Sequence, residues 1–159
     1  MRTTAKVDYA VRAALVLAAA QRSVGENERR VPVKGAEVAA AQAIPVKFLE
    51  SILAELKRAG IVGSQRGSDG GYWLARPAAE VTVADIIRAV EGPLADVRGI
   101  RPESLGYEDD LMALQRMWVA VRANLRGVLE HVSLADLDAG QLPPEVDALA
   151  DVDDAWNVR

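Results

Sequence analysis

Apolar residues recur along the first third of the chain at the spacing of amphipathic helices. Val7, Val11, Ala14, Leu15 and Ala18 share one face of a helix predicted from about Ala5 to Ala20, with Thr4 as its N-cap. Residues 22–31 are polar and charged, carry Gly25 and Asn27, and read as a loop. Pro32 and Val33 lead into a short helix predicted over Lys34 to Ala41, with Val38 among small alanines. A turn through Gln42, Ala43 and Ile44 reaches Pro45, placed at the first position of a third helix, where a missing N–H costs nothing. Phe48, Leu49, Ile52, Leu53 and Leu56 then form a core-facing stripe that runs to about Ala59, and Gly60 ends the helix as its C′ residue. The second and third helices, so closely spaced, make a helix-turn-helix, and Ala39, Ala40 and Ala41 allow them to approach.

After Gly60 the pattern changes. Residues 61–77 read as two short strands joined by a glycine-rich turn. Ile61 and Val62 open the first strand, and Tyr72, Trp73 and Leu74 form the second. Gly67, Gly70 and Gly71 are expected to supply positive φ angles at the tip. Arg66 sits beside that tip, and Arg76 closes the second strand. A basic, glycine-tipped hairpin directly after a helix-turn-helix is the outline of a winged helix; an ordinary surface hairpin is the alternative.

Downstream, Thr82 caps a helix from Val83 to Val90, with Asp85 in the capping-box position, and Glu91-Gly92-Pro93 stops it. Residues 94–107 read as an irregular loop, long enough to suggest function or mobility. Glu108 to His131 is predicted as the longest helix. Leu111, Leu114, Trp118, Val121, Leu125, Val128 and Val132 alternate at intervals of three and four along it, a seam at heptad spacing. Met112, Met117 and Leu129 widen its apolar surface. A wing domain of this size leaves little to cover such a helix, so the same helix of a second chain is the expected cover, with folding back onto its own domain as the alternative. The fold class is mainly α with a small β-hairpin: a winged helix-turn-helix domain (1–78), a connecting helix and effector-type loop (79–106), a long dimerisation helix (107–135) and an acidic, partly disordered tail (136–159) carrying Pro143 and Pro144.

Composition narrows the chemistry. Half of the 159 residues are hydrophobic, which suffices for a core. There is no cysteine, which excludes disulfides, thiolate zinc sites and cysteine-held iron–sulfur clusters. His131 is the one histidine, so neither a histidine-rich metal site nor a Ser-His-Asp triad is expected. No paired catalytic carboxylates, phosphate loop or nucleophile–base pair can be placed, which argues against an enzyme, and no cofactor is expected. No apolar run approaches a membrane span, and Asp8 and Arg12 interrupt any signal-peptide core, so a cytoplasmic protein is expected. The net charge of −4 is unevenly divided. Residues 1–77 hold twelve Lys and Arg against seven Asp and Glu, whereas 78–159 hold seven against sixteen. Only the front half suits a polyanion.

On that reading the first turn of the third helix enters the DNA major groove, presenting Pro45, Val46, Lys47, Glu50 and Ser51. Lys47 can bind guanine O6/N7 or a phosphate, Glu50 can accept from cytosine N4, and Val46 can touch a thymine methyl. Arg66, beside Gly67, suits the minor groove, while Ser64 and Gln65 suit phosphate oxygens. Arg2, Thr3, Thr4 and Lys6 lie at the first helix's N-terminus, an expected phosphate site, with Tyr9 as a further contact. A symmetric dimer would prefer a pseudo-palindromic site on double-stranded DNA. The alternative is a winged-helix module that binds protein. A small-molecule pocket beside the long helix, formed by Arg98, Arg101, Glu103, Tyr107, Glu108, Trp118 and Arg122, is a further expectation, with a plain solvated loop as its alternative.

In these residues the chain resembles the Rrf-two family of bacterial winged-helix transcription regulators. The matching stretches are Lys6–Ala13, Ile44–Glu50, Leu56–Val62, Arg66–Tyr72, Leu74–Pro77, Thr82–Pro93 and, more weakly, Val132–Leu137. The resemblance implies a homodimer, DNA binding through the third helix and wing, and repression of a promoter. It also exposes a departure. Many relatives carry three cysteines after the Glu-Gly-Pro motif to hold an iron–sulfur cluster, and residues 94–107 have none. Asp8 falls where some relatives supply a cluster ligand, but one carboxylate cannot hold a cluster, so cluster sensing does not carry over.

Overall fold

The computed structural model describes residues 3–24, 31–153 and 155–157. Among the described residues, seven helices and one hairpin follow in the order α1 (Ala5–Ser23), α2 (Gly35–Gln42), α3 (Val46–Arg58), β1 (Val62–Gln65), β2 (Gly71–Leu74), α4 (Val83–Glu91), α5 (Met112–Leu129), α6 (Leu134–Asp138) and α7 (Pro144–Ala150). Single 3₁₀ turns lie at Ala78–Glu80, Pro102–Ser104 and Asp109–Leu111.

The core is built around α1. Its inward face is Val7, Ala10, Ala13, Ala14, Leu17 and Ala18, so Val11 and Leu15 of the predicted stripe are only half-buried. Small alanines let α2, α3, α4 and α6 close on one central helix. Leu49, Ile52, Leu53 and Leu56 of α3, Ile86 of α4 and Leu134 of α6 meet there, each almost fully buried. Phe48 departs from the predicted stripe. It lies exposed on the first turn of α3, where its ring meets Tyr9 edge-on at 5.7 Å.

Backbone chemistry sets the boundaries. Thr4 accepts from the Val7 amide to cap α1. Thr82 and Asp85 form the expected capping box at α4, and Ser133 and Asp136 form a second at α6. Pro45 is the N-cap of α3 and not its first helical residue: its carbonyl accepts from Phe48 and Leu49. Ala43 takes a left-handed conformation (φ 51°) to turn the chain between α2 and α3. At α5 the first turn is 3₁₀, so the helix is 18 residues long and α1, with 19, exceeds it.

The hairpin pairs Val62 with Leu74 through Gln65 with Gly71. Of the three tip glycines only Gly67 has a positive φ (111°). Gly70 and Gly71 are required for space. A Cβ on Gly70 would lie 2.3 Å from the Gln65 carbonyl oxygen, and one on Gly71 would lie 2.6 Å from that of Val33. The second clash reflects a contact absent from the sequence reading. Val33 and Tyr72 exchange two backbone hydrogen bonds of 2.8 Å, adding a short third rung to the wing.

Two helices follow α5: α6 begins within the segment expected to belong to the dimerisation helix (107–135), and α7 lies in the segment expected as a partly disordered tail (136–159). Val132 and Leu134 are buried, and two 2.9 Å backbone bonds, Val83 to Val132 and Leu134 to Val81, set this stretch beside the start of α4. Arg22 reaches Asp138 at 2.6 Å, joining α1 to α6. Chain beyond α5 therefore completes the front domain's core.

Candidate nucleic-acid interface

The first turn of α3 projects from the domain. Pro45, Val46, Lys47, Glu50 and Ser51 are all exposed, and neither Lys47 nor Glu50 has a hydrogen-bond or ion-pair partner among the described residues. A cation held out in solvent on a turn whose other face is locked into the core is free to meet a phosphate or a base edge. At the wing, Gln65, Arg66 and Gly67 are exposed, and Arg66 is likewise unpaired among the described residues. Ser64 differs: its hydroxyl accepts from Lys57 at 2.7 Å, which pins the wing to the end of α3.

The turn between α2 and α3 is held by a residue that the sequence reading did not single out for this role. Arg12 donates from Nε to Gln42 Oε1 at 3.1 Å and from Nη2 to the Gln42 carbonyl, while Nη1 reaches Asp8 at 3.2 Å. Its guanidinium lies 5.6 Å from the Tyr9 ring centroid, and Tyr9 in turn meets Phe48. Arg12, Tyr9 and Phe48 thus run from α1 to the exposed turn of α3 and fix its direction. The position of Arg12 four residues after Asp8 and three after Tyr9 was the available signal.

The α1 N-terminus is committed elsewhere. Lys6 makes a 2.8 Å bond to the Val90 carbonyl and meets the Glu55 carboxylate at 3.0 Å (Oε1) and 2.7 Å (Oε2). The Thr4 hydroxyl donates to Glu91. A carboxylate already faces this helix end, and Lys6 ties α1, α3 and α4 together inside the domain, so both Thr4 and Lys6 of the expected phosphate site are engaged within the chain. Thr3 lines a cavity beside Trp118, and Arg2 lies outside the described residues.

That cavity, of about 260 Å³, lies between the start of α1, the end of α4, the segment after Pro93 and α5. Val7, Ile87, Leu94, Pro102, Trp118 and Leu125 contribute to its wall. Of the residues expected in a pocket only Trp118 lines it. Arg98, Arg101, Tyr107 and Arg122 do not. Arg98 occupies a tight turn at φ 56°, and Arg122 pairs with Glu103, whose carboxyl is held below its usual range by that hydrogen bond. The expected irregular loop is fastened to α5: the Gln115 side-chain amide donates to the carbonyls of Pro102, Glu103 and Leu105 at 3.0–3.3 Å.

The predicted heptad seam is divided by these contacts. Gln115, Trp118, Arg122, Leu125 and Leu129 share the face that meets the rest of the chain. Leu114, Met117, Val121 and Val128 lie on an adjoining stripe, with Met117 and Val121 about 40% exposed. No residue of α5 is fully buried, and its far end is held by Glu130, which bonds both Arg126 and Arg88 and is thereby kept below the ordinary carboxylate range.

A helix-turn-helix followed by a basic wing, with a free cation on each, defines a winged-helix DNA-binding protein. The family model for Rrf2, described as an iron-dependent transcriptional regulator, matches residues 3–139, and the chain belongs to this family. It is 46% identical over 151 residues to the candidate HTH-type transcriptional regulator Rv1287 of Mycobacterium tuberculosis H37Rv, covering 95% of this chain and 89% of that one. It is 34% identical over 154 residues to the HTH-type regulator IscR of Cereibacter sphaeroides, covering 91% of each. Among solved structures, CymR, the global cysteine regulator of Bacillus subtilis, superposes with a TM-score of 0.72 at 27% identity, over 89% of this chain and 98% of that chain. The chain is thus a DNA-binding transcription regulator and not an enzyme. An iron centre does not fit its residues. The sequence has no cysteine, Asp8 is paired with Arg12, and no group of His, Asp and Glu among the described residues could hold a metal.

Proposed function

We propose that the protein is a cytoplasmic homodimeric repressor that reads a pseudo-palindromic operator. The observation that carries this reading is the pair of unpartnered cations, Lys47 on the first turn of α3 and Arg66 at the wing. Glu50, Ser51 and Val46 share the base-reading turn, with Gln65, Gly67 and Tyr9 alongside as backbone contacts. Repression is the outcome that the family resemblance implies.

The dimer reading draws on Leu114, Met117, Val121 and Val128 of α5, an apolar stripe on which Met117 and Val121 are about 40% exposed, Leu114 and Val128 are half-buried, and Val121 also lines the cavity beside Trp118. Fully burying an exposed side chain of this kind is worth roughly 1.5–3 kcal/mol, so covering the exposed part of Met117 and Val121 contributes about 1 kcal/mol each toward association. Leu111 and Met112, both exposed, extend the surface. A small-molecule effector is the third part of the reading, and the cavity beside Trp118 supports it.

Selection of genomic fragments by purified protein tests the reading, with wild type compared with a Lys47→Ala/Arg66→Ala variant. A palindromic motif enriched by wild type and lost in the variant is the expected result. Equal enrichment by both would overturn the assignment of these residues, and no enrichment by a folded dimer would favour a protein partner.

A further inference from the structure

The cavity beside Trp118 has a chemical bias that goes beyond its existence. Ten of its thirteen lining residues are apolar, and Val7, Ile87, Leu94 and Pro102 give it a buried apolar floor. Among the described residues, the charged side chains in the lining are both acidic, Glu91 and Asp96. Arg98 and Arg101 do not line it, and Arg122 is drawn off by Glu103. Each carboxylate is only partly engaged. Glu91 accepts the Thr4 hydroxyl through one oxygen, and Asp96 accepts the Gly99 amide through one oxygen at 2.7 Å. Among the described residues, one oxygen on each is left for a donor.

We infer that this cavity binds a compact organic cation: a primary or secondary amine carrying one aromatic or branched aliphatic group. The inference rests on the reading of the cavity as an effector site and adds the class of ligand. The volume, about 260 Å³, lies just below the range of drug-sized pockets, which limits the ligand to roughly one ring and a short arm. The apolar group would lie against Trp118 and Ile87, and the ammonium would reach Glu91 or Asp96. Anions of the same shape, including phosphorylated metabolites, meet the like charge of Glu91 and Asp96. The site also adjoins the DNA-binding unit. Glu91 follows Val90, whose carbonyl holds Lys6, and Lys6 holds Glu55 of α3.

Three probes of one size decide the matter on the full-length, ¹⁵N-labelled protein: phenethylamine, 2-phenylethanol and phenylacetate. The readout is the Trp118 indole N–H resonance, assigned with Trp118→Phe. Phenethylamine is expected to shift it saturably, and to bind about tenfold more tightly than 2-phenylethanol, the advantage of two solvent-screened charge contacts. Phenylacetate is expected to bind most weakly. In Glu91→Gln/Asp96→Asn the amine should lose its advantage while 2-phenylethanol binds as before. Should that variant fail to fold, the ranking of the three probes on wild type still decides. Phenylacetate binding as tightly as the amine would overturn the ligand class and leave the cavity reading standing. No shift with any probe would remove the cavity reading and the inference together.

Discussion

Replacing Lys6 by Met separates two roles that a basic residue at a helix start can play. The ammonium contacts both Glu55 oxygens and the Val90 carbonyl, and the two side chains are only 28% and 18% exposed. In Lys6→Met the Glu55 carboxylate stays behind with Arg58 at 4.0 Å as its nearest cation, and Val90 loses an acceptor bond at the end of α4. Orphaning one partner of a fully buried pair costs about 3–5 kcal/mol. This pair is partly solvated, so about 1–3 kcal/mol is expected. For a chain of this length that lowers Tm by roughly 3–9 °C, measured at fixed protein concentration so that the proposed dimerisation contributes equally. Lys6→Met/Glu55→Met should recover most of the loss, since it removes both charges. DNA binding supplies the second assay. A lysine on a phosphate contributes about 0.9 to the slope of log affinity against log salt. Lys6→Met should leave that slope unchanged. An unaltered Tm with a slope reduced by about 0.9 per protomer would refute the argument and return Lys6 to the DNA. A double variant no more stable than Lys6→Met would refute the coupling with Glu55.

Other consequences can be checked in the same assays. Lys47→Ala should do the converse, reducing the salt slope by about 0.9 per protomer with Tm essentially unchanged. Gly70→Ala forces a Cβ to within 2.3 Å of backbone at the wing turn. A loss of about 2 kcal/mol and weaker operator binding are expected, read by thermal unfolding and by fluorescence anisotropy. Val121→Glu, on the exposed stripe of α5, should give a folded monomer in sedimentation velocity, because a charge in an apolar interface has no partner. Asp136 is held below its ordinary value of 3.8 by the Ser133 hydroxyl and then the Ser133 amide. Its charged form is favoured by folding, so its contribution is present above pH 3.8 and is lost as pH falls through the lowered native value. Asp136→Asn should therefore flatten the acid side of the stability profile, as chemical denaturation at pH 3–5 would show.

Much of the front domain was legible because its signals are local. The stripe Leu49–Leu56, the capping box at Thr82 and the turn at Gly60 follow from spacing and from the backbone preferences of single residues. The exposed turn with Lys47 and the wing with Arg66 followed from the same rules, since the positions left outside a buried stripe are the ones presented to solvent. The errors have a common source. Phe48 fits a helical stripe by spacing, yet only the packing of Tyr9 against the first turn of α3 decides that it lies outside the core. Lys6 reads as a free cation until Glu55 and Val90, far off in sequence, are brought to it. The arginines of residues 98–122 look like a binding set, but the Gln115 and Arg122 contacts turn the loop so that apolar residues and two carboxylates face the cavity.

By itself, then, the sequence determined the five helices up to α5 to within a few residues at their ends, and that a helix-turn-helix precedes a basic hairpin. Each of these depends on residues within about one turn of one another. It also determined the absence of a cysteine-held cluster, which is a matter of composition. Tertiary structure alone decided that α6 returns to complete the core, that the heptad seam of α5 is shared between its own chain and a partly exposed stripe, and that Thr4 and Lys6 at the start of α1 bond within the domain. Periodicity specifies that a face will be buried, whereas what buries it depends on contacts between residues distant in sequence.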